Sequence, residues 1–510
     1  MENRVKKIFI IFVILQPLLD AYFLYTDKVI NFIGFSPSTI IRFIFVGVVL
    51  LYSMYKYRKD KKIIPMLGYL AVSIIYILLH HINVKNFISY DTNNFGYSFL
   101  GEAFYIARLV VPMIIIYITT SFKIDFNDLK DVICKTTFII TFTIVITNIF
   151  KIGLGSYNNE FIKDNIFSWF TYGYDKYSFL ELASKGWFNF ANQISGVLIM
   201  FLPFIIYEFY TNRKIFSGIN LFLIMTSMLM IGTKVALLGT FLVYACMVVI
   251  YIINRCLHKS KIDLRAISVI SIFLLLYIAV LIKAPATNRS QITNSIMAND
   301  SDALKEDENG KKYKMHDVDL LKEKVKKASK EEKIKFIGKF YGFYRIPEMF
   351  IKTGYSYKID PDFWIDIMDK PLSYRLEYRK VEEAMIKRVA EINNNENSKL
   401  WGISYCRVQN IFNIERDYLL QYYTIGAIGL VIFILPFALI WLVCSIKILV
   451  KYKTLLNTKN MVMCLSTLSI QGVAFYSGNI IDAMLISIYL SFSLGVMINT
   501  ILTKQTQKIK

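Results

Sequence analysis

VALLGTFLVYACMVVIYII, residues 235–253, carries no charged side chain and is bracketed by Lys234 on one side and Arg255 close behind on the other. About 20 predominantly apolar residues in a helix cross the hydrocarbon core of a bilayer. The run therefore reads as a transmembrane helix, and it is one of about twelve such windows in the chain. The others open near Ile8, Ser38, Ile63, Phe99, Val132, Phe188, Phe216 and Ala266, and after a long hydrophilic stretch near Thr424, Met461 and Ala483. With 55% hydrophobic and only 19% charged residues over 510 positions, an ordinary soluble protein is excluded. The expected fold class is an all-α polytopic membrane protein with one large extracytoplasmic loop. Residues 1–285 form the membrane bundle of helices 1 to 9, residues 286–414 the loop, and residues 415–510 helices 10 to 12.

The net charge of +21 does not point to nucleic acid, because the basic residues are spread over short connections between apolar runs. Alternate connections are basic: Arg4, Lys6 and Lys7; Lys56, Arg58, Lys59, Lys61 and Lys62; Arg213 and Lys214; Arg255, Lys259, Lys261 and Arg265; Lys451, Lys453 and Lys459; and the tail with Lys504, Lys508 and Lys510. The positive-inside rule makes these cytoplasmic, with both termini inside and the long loop outside. The loop itself is nearly balanced, with about two dozen basic and about twenty acidic residues. Its first part, Asp300–Lys335, reads as a solvated helix with little apolar anchoring, whereas Tyr341–Thr353 and Leu372–Ile392 read as amphipathic helices on the membrane surface or capping the bundle. Six cysteines without a C-x-x-C pair give neither a disulfide framework nor a metal site. The richness in Lys, Asn and Ile suggests an AT-rich bacterial genome.

Five ionisable residues interrupt the apolar segments: Asp20, Arg42, Arg108, Lys234 and Lys283. A charge in a bilayer costs roughly 2.5–3.5 kcal/mol on insertion scales, so it is rarely kept without a partner or a task. On the topology above, all five fall toward the outer face. Glu102, Asn192, Gln193, Gln471 and Asp482 follow them, and the inner halves are nearly free of charge. Snorkelling would account for Lys283 and Arg42 one at a time, and Asn192 would also serve as a helix–helix hydrogen bond. As a group they describe a cationic cavity at the outer leaflet. That cavity suits a ligand with an anionic head at the interface and a tail in lipid, such as a polyprenyl diphosphate carrying sugars. Arginine binds such a head by bidentate hydrogen bonds and lysine as a point charge.

Several stretches resemble one family. GWFNFANQ at 186–193 looks like the G-x-F-x-x-x-N stretch of the O-antigen polymerase and O-antigen ligase superfamily. GTKVALLG at 232–239 looks like its basic hinge between small residues, with Lys234 where Arg is usual. LWGISY at 400–405 and IERDYLLQYYTIGAIG at 414–429 resemble the segment that re-enters the membrane through a G-x-x-G helix start, and QPLLD at 16–20 resembles the family's opening. Ligases typically carry a His-Asn pair before that re-entry, where this chain has Glu415-Arg416-Asp417, which looks more like the ligase-like and polymerase branch.

The resemblance implies a metal-independent membrane glycosyltransferase without a cofactor, acting on a polyprenyl (undecaprenyl) diphosphate-linked oligosaccharide in the bacterial cytoplasmic membrane. It would polymerise repeat units into a capsule-like or O-antigen-like polysaccharide. A chain-length regulator and a flippase of the same pathway are the implied protein partners. Candidates for the diphosphate and glycan are Arg108, Lys234, Arg289, Arg375 and Arg379, with Asn192, Asp20 and Arg42. Candidates for the base are Glu415 and Asp417, with Glu102 and Asp20 behind them. Arg375 and Arg379 also read as a solvated helix face beside Glu377, Glu382 and Glu383, and His80 and His81 carry less weight as helix-end residues.

The alternatives are a ligase moving a finished glycan to another acceptor and, in another class, a lipid-linked oligosaccharide flippase. Alternating access favours polar residues on both sides of the midplane, and here they stop in the outer half. Transferases using a polyprenyl monophosphate carry acidic residues in the first outer loop, where Asp27 stands by itself.

Overall fold

The computed structural model describes residues 1–26, 36–91, 96–257, 264–299, 304–306, 310–408, 412, 414–478 and 480–503. Asp27, His258, Lys259, Lys261 and the basic tail from Lys504 lie outside the described residues. The main helices are α1 (Glu2–Ile14), α2 (Pro37–Lys56), α3 (Ile63–Val84), α4 (Phe99–Ser121), α5 (Phe126–Ile149), α6 (Ala191–Asn212), α7 (Ile215–Ile231), α8 (Lys234–Leu257), α9 (Leu264–Leu281) and α10 (Pro285–Asn299). They continue with α11 (Met315–Val325), α12 (Lys330–Phe340), α13 (Pro361–Asp369), α14 (Tyr378–Asn393), α15 (Asn397–Trp401), α16 (Asp417–Val450), α17 (Thr458–Tyr476) and α18 (Met484–Thr503). The protein is an all-α polytopic membrane protein. Among the described residues eight helices are long and apolar enough to cross a bilayer, and nine if the bent pair α9–α10 counts as one span. Helix α7 is apolar but shorter.

Contacts divide the chain into two units. The first comprises Met1–Val72, Arg108–Arg289 and Ile434–Lys510; the second comprises Ser73–Ala107 and Ser290–Phe433. In the first unit α6 and α18 are central, each with 78% of its apolar window buried. Helix α2 turns Ile44 and Leu51 outward and α8 turns Leu238 and Leu242 outward, all well exposed. In lipid that exposure is free of the penalty it would carry in water, so packing rather than apolarity must hold the helices together. Small residues allow it. A Cβ on Gly196 of α6 would lie 3.0 Å from Ile470 of α17, one on Gly495 of α18 would lie 2.7 Å from Thr119 of α4, and one on Gly239 of α8 would collide with Ile199 of α6.

The first apolar window is not one helix. Pro17 lacks the N–H an α-helix needs, so α1 stops at Ile14 and two 3₁₀ turns, Gln16–Asp20 and Tyr22–Tyr25, finish the passage. The chain then bonds to the segment ahead of α6: Tyr22 N–H donates to Trp187 O at 2.8 Å and Asn189 N–H to Asp20 O at 3.1 Å.

The second unit has its own core, including Phe336, Phe340, Tyr344, Phe350, Tyr355, Trp364, Met385 and Ile386. The Lys/Glu-rich stretch expected to be solvated instead forms α11 and α12. Met315, Val318, Phe336, Ile337 and Phe340 recur at helical spacing and are buried, and with them Lys322, whose ammonium is paired with Asp319 and Asp369. Ser329 and Glu332 cap α12 reciprocally. Residues 341–353, expected as a helix, form a 3₁₀ turn and one π turn, because Arg345 adopts φ +60° and Pro347 follows it. Helix α14 forms as its pattern predicts, burying Val381, Met385, Ile386 and Val389.

Helix α16 is broken within its span. Gly426 has φ +66° and ψ −177° inside it. A broken helix strands carbonyl groups, which in an apolar setting must find other donors. Here they do. Tyr423 O accepts from Ile403 N–H at 2.7 Å, Thr424 O from Ser404 N–H at 3.3 Å, and Ile425 O from the Tyr76 hydroxyl at 2.5 Å. Gly402, at φ +79°, crosses Gly426 so closely that a Cβ on either would strike the other strand's backbone, Thr424 O in one case and Leu400 O in the other.

Candidate functional site

In the first unit Asp20 and Arg42 meet. Arg42 Nη2 lies 3.6 Å from Asp20 Oδ1, and the two side chains are 1% and 5% exposed. The rest of the guanidinium is occupied: Nε donates to Gln16 Oε1 at 2.7 Å, Nη1 to the Tyr25 hydroxyl at 3.3 Å, and Nη2 to Gln16 O at 3.3 Å. Tyr25 donates to Asp20 Oδ1 at 3.2 Å and accepts from Ser38 at 2.7 Å. The guanidinium is fully engaged and the pair is closed to solvent, while Asp20 Oδ2 is buried without a hydrogen-bond partner. The effect of the pair is to fix Tyr25, which faces a cavity. Arg108 is half-buried on α4 and donates through Nη2 to Asp482 O at 2.8 Å.

The cavity has a volume of about 500 Å³ and is lined by Tyr22, Tyr25, Tyr157, Asn159, Lys185, Asn189 and neighbouring residues. Four segments that are remote in sequence build it or brace it. They are the turns after α1, the loop from Lys151 to Phe190, the Gly232-Thr-Lys hinge between α7 and α8, and the start of α10. Tyr157 ties them together. Its hydroxyl donates to Gly232 O at 2.7 Å and accepts from Arg289 Nη1 at 3.1 Å, and the guanidinium sits 5.0 Å from its ring centroid. Gly232 caps α7 at φ +65°, and Thr233 bonds Ser195 of α6 at 2.9 Å and caps α8 through Ala236 N–H at 3.1 Å. That leaves Lys234 exposed at the first position of α8. Asn192 is half-buried in the first turn of α6, next to the lining residue Ala191. Lys283 is exposed, and its carbonyl accepts from Tyr174 at 2.8 Å.

Lys185 is the residue the sequence reading missed. It lies in the short strand Ser184–Gly186 that pairs with Leu154–Gly155, is 4% exposed, and donates to Asn159 Oδ1 at 2.8 Å. Burial pushes its ammonium down to about 8. Its place directly before the GWFNFANQ stretch was the available signal. The loop carrying it exposes Phe150, Phe161, Phe167, Phe170, Trp187 and Phe190. An exposed apolar patch of this kind marks an interaction surface for a partner or a membrane.

In the second unit Arg379 and Glu415 form an ion pair, Nη2 to Oε2 at 3.1 Å, and Arg416 bonds Glu377 at 2.9 Å and Glu383 at 3.3 Å. Glu415 keeps a 44% exposed side chain, while Asp417, in the first turn of α16, is fully buried. Arg375 is used inside the loop: Nε donates to Lys370 O at 2.9 Å and Nη1 to Tyr344 O at 2.7 Å. His81 bonds the Tyr97 hydroxyl at 2.9 Å. His80 and Glu102 are both buried, with Nε2 and Oε2 3.2 Å apart. His80 Nδ1 lies 2.8 Å from Trp401 O, which can only accept, so that nitrogen carries a hydrogen. Glu102 Oε1 accepts from Cys406 N–H at 3.1 Å, so the pair braces the turn beside the glycine crossing.

Beside the Arg379–Glu415 pair, Glu382 is 3% exposed and its carboxyl is held up at about 8, from an ordinary 4.5, by burial and by the Glu415 charge. The unfolded chain ionises this group near 4.5 and the folded chain near 8, so between those values the unfolded state holds fewer protons. Stability therefore falls as pH rises from about 4.5 to about 8 and is level above that. Thermal unfolding of the purified protein across this range should show the loss. Glu382→Gln should flatten the profile by a few kcal/mol at the alkaline end.

The protein is thus a multi-pass helical membrane protein with a polar, cation-bearing cavity beside an aromatic loop. The model for O-antigen ligase-like membrane proteins matches residues 2–504, and the chain belongs to that family. No curated protein matches it. Family membership supports a lipid-linked glycan transferase role in envelope polysaccharide biosynthesis.

Proposed function

We propose that the protein joins polyprenyl-diphosphate-linked oligosaccharide repeat units into a surface polysaccharide at the outer face of the bacterial cytoplasmic membrane, with both termini in the cytoplasm. One observation carries this reading. The turns after α1 and the loop before α6 form one cavity lined by Lys185, and its lining residue Tyr157 is bonded to the Gly232 carbonyl of the α7–α8 hinge and to Arg289 at the start of α10. Successive connections alternate sides of a membrane, so these lie on the side opposite the Lys- and Arg-rich connections, which the positive-inside rule keeps inside.

In the transfer, an acceptor hydroxyl oxygen bonds the anomeric carbon as that carbon's bond to the diphosphate oxygen breaks. The electron pair leaves with the diphosphate, where Arg108, Lys234 and Arg289 stabilise the growing charge. The hydroxyl proton passes to a carboxylate base. Arg375 and the Asp20–Arg42 pair are assigned structural parts, because their polar groups are engaged inside the protein.

The test is glycan length and attachment in a strain lacking the protein, with lipid-linked and polymeric saccharide separated by size. Single repeat units accumulating on lipid with loss of long chains supports polymerisation. Long chains stranded on lipid would replace it with ligation, and repeat units retained inside the cell with transport. In the complemented strain, Arg108→Ala or Lys234→Ala should remove long-chain polymer by tenfold or more while the protein still inserts. Normal chain length in both variants would refute the assignment of the cationic set.

A further inference from the structure

We propose that the cavity around Lys185 is a glycan subsite that selects a sugar carrying a negatively charged substituent, with Lys185 as the specificity-determining residue. This rests on the polymerase reading and adds the chemical class of the repeat unit.

Three observations converge. First, Lys185 is a buried cation without an ionic partner among the described residues; its hydrogen-bond partner is the neutral Asn159 amide. A buried charge is costly unless it is paired, so a group kept there implies that its counter-charge arrives with something else. Second, the remaining lining is the kind that handles a sugar ring. Asn158, Asn159 and Asn189 offer amide donors and acceptors for hydroxyl groups, and Tyr22, Tyr25 and Tyr157 offer flat apolar faces with a polar edge. Third, Lys185 is the one cation among the lining residues. A diphosphate calls for several converging cations or bidentate arginines, whereas one ammonium matches a single negative charge such as a sugar carboxylate. Two lining elements are also held rigidly. Tyr25 is fixed by Asp20, Arg42 and Ser38, and Tyr157 by Gly232 and Arg289. A rigid wall favours discrimination over mere adhesion.

The experiment uses the detergent-solubilised full chain and three probes: a uronic-acid-containing tetrasaccharide, the neutral tetrasaccharide of N-acetylglucosamine, and inorganic pyrophosphate. Acetylation of Lys185 by an amine-reactive ester at pH 8 is followed by peptide mass spectrometry. The acidic tetrasaccharide should slow modification of Lys185 at least about threefold, and the neutral one and pyrophosphate should not. Titration calorimetry should show the acidic probe binding about tenfold more tightly than the neutral one. Lys185→Gln should bring that ratio to about one without loss of neutral-sugar binding, and Lys185→Arg should retain most of it. Protection by pyrophosphate with no effect of the acidic sugar would overturn the proposal in favour of a phosphate site. Absence of protection by every probe would overturn it outright. Neither result bears on the polymerase reading, which is tested by glycan length in cells.

Discussion

Gly426→Ala should prevent the protein from accumulating in the membrane in folded form. Two costs add. The left-handed backbone at φ +66° disfavours any residue with a Cβ by about 1 kcal/mol, and the new methyl would occupy the space of the Leu400 carbonyl. Because that carbonyl belongs to backbone, it cannot swing aside as the end of a flexible side chain would. Relief requires separating the two strands, which breaks the bonds from Ile403 and Ser404 to Tyr423 O and Thr424 O. Losing buried backbone bonds together with the clash places the variant among the exceptional cases above about 4 kcal/mol. Gly402→Ala should behave alike, since its Cβ would meet Thr424 O. Gly472→Ala on α17, with open space around it, is the control and should accumulate normally. Quantifying folded protein by fluorescence size-exclusion of a tagged chain gives the answer, and wild-type levels of Gly426→Ala would show that the crossing is looser than described.

Arg42→Ala should cost about 3–5 kcal/mol, because it leaves Asp20 buried without its counter-charge. Arg42→Lys should not rescue it. One ammonium cannot reproduce the separate bonds of Nε to Gln16 and of the fork to Tyr25 and the Gln16 carbonyl. Asp20→Asn with Arg42→Gln should be milder than Arg42→Ala by itself, since no uncompensated charge remains. A double-mutant cycle on thermal unfolding separates the two ideas. Additive losses would mean the residues act independently. A strong negative coupling is expected from a buried pair.

The membrane spans were legible because their signal is composition over a fixed length, and lipid imposes that length on each of them separately. Residue partnerships depend on which helices come together, and that information is spread over the chain. His80 read as a helix-end histidine and Glu102 as an outer-face acid in reserve as a base, and they face each other at 3.2 Å. Arg375 and Arg379 read as one face of a helix. The structure places Arg375 on backbone carbonyls, which no side-chain pattern records, and Arg379 on Glu415, 36 positions away in the chain. Gly402 and Gly426 were visible as motif glycines, but the reason for both is their mutual approach, a property of neither segment by itself. Lys185 went unnoticed because it stands outside every apolar window, and its importance comes from burial that a loop residue does not advertise.

The fringe of phenylalanines and Trp187 on the loop before α6 has a mechanical consequence. Such a surface has a preferred depth, like a hull with a waterline, and the Ser184–Gly186 strand bearing Lys185 is part of the same loop. The lipid headgroups would then set how far that strand rides above the hydrocarbon, so bilayer thickness and headgroup charge become settings of the cavity rather than mere surroundings.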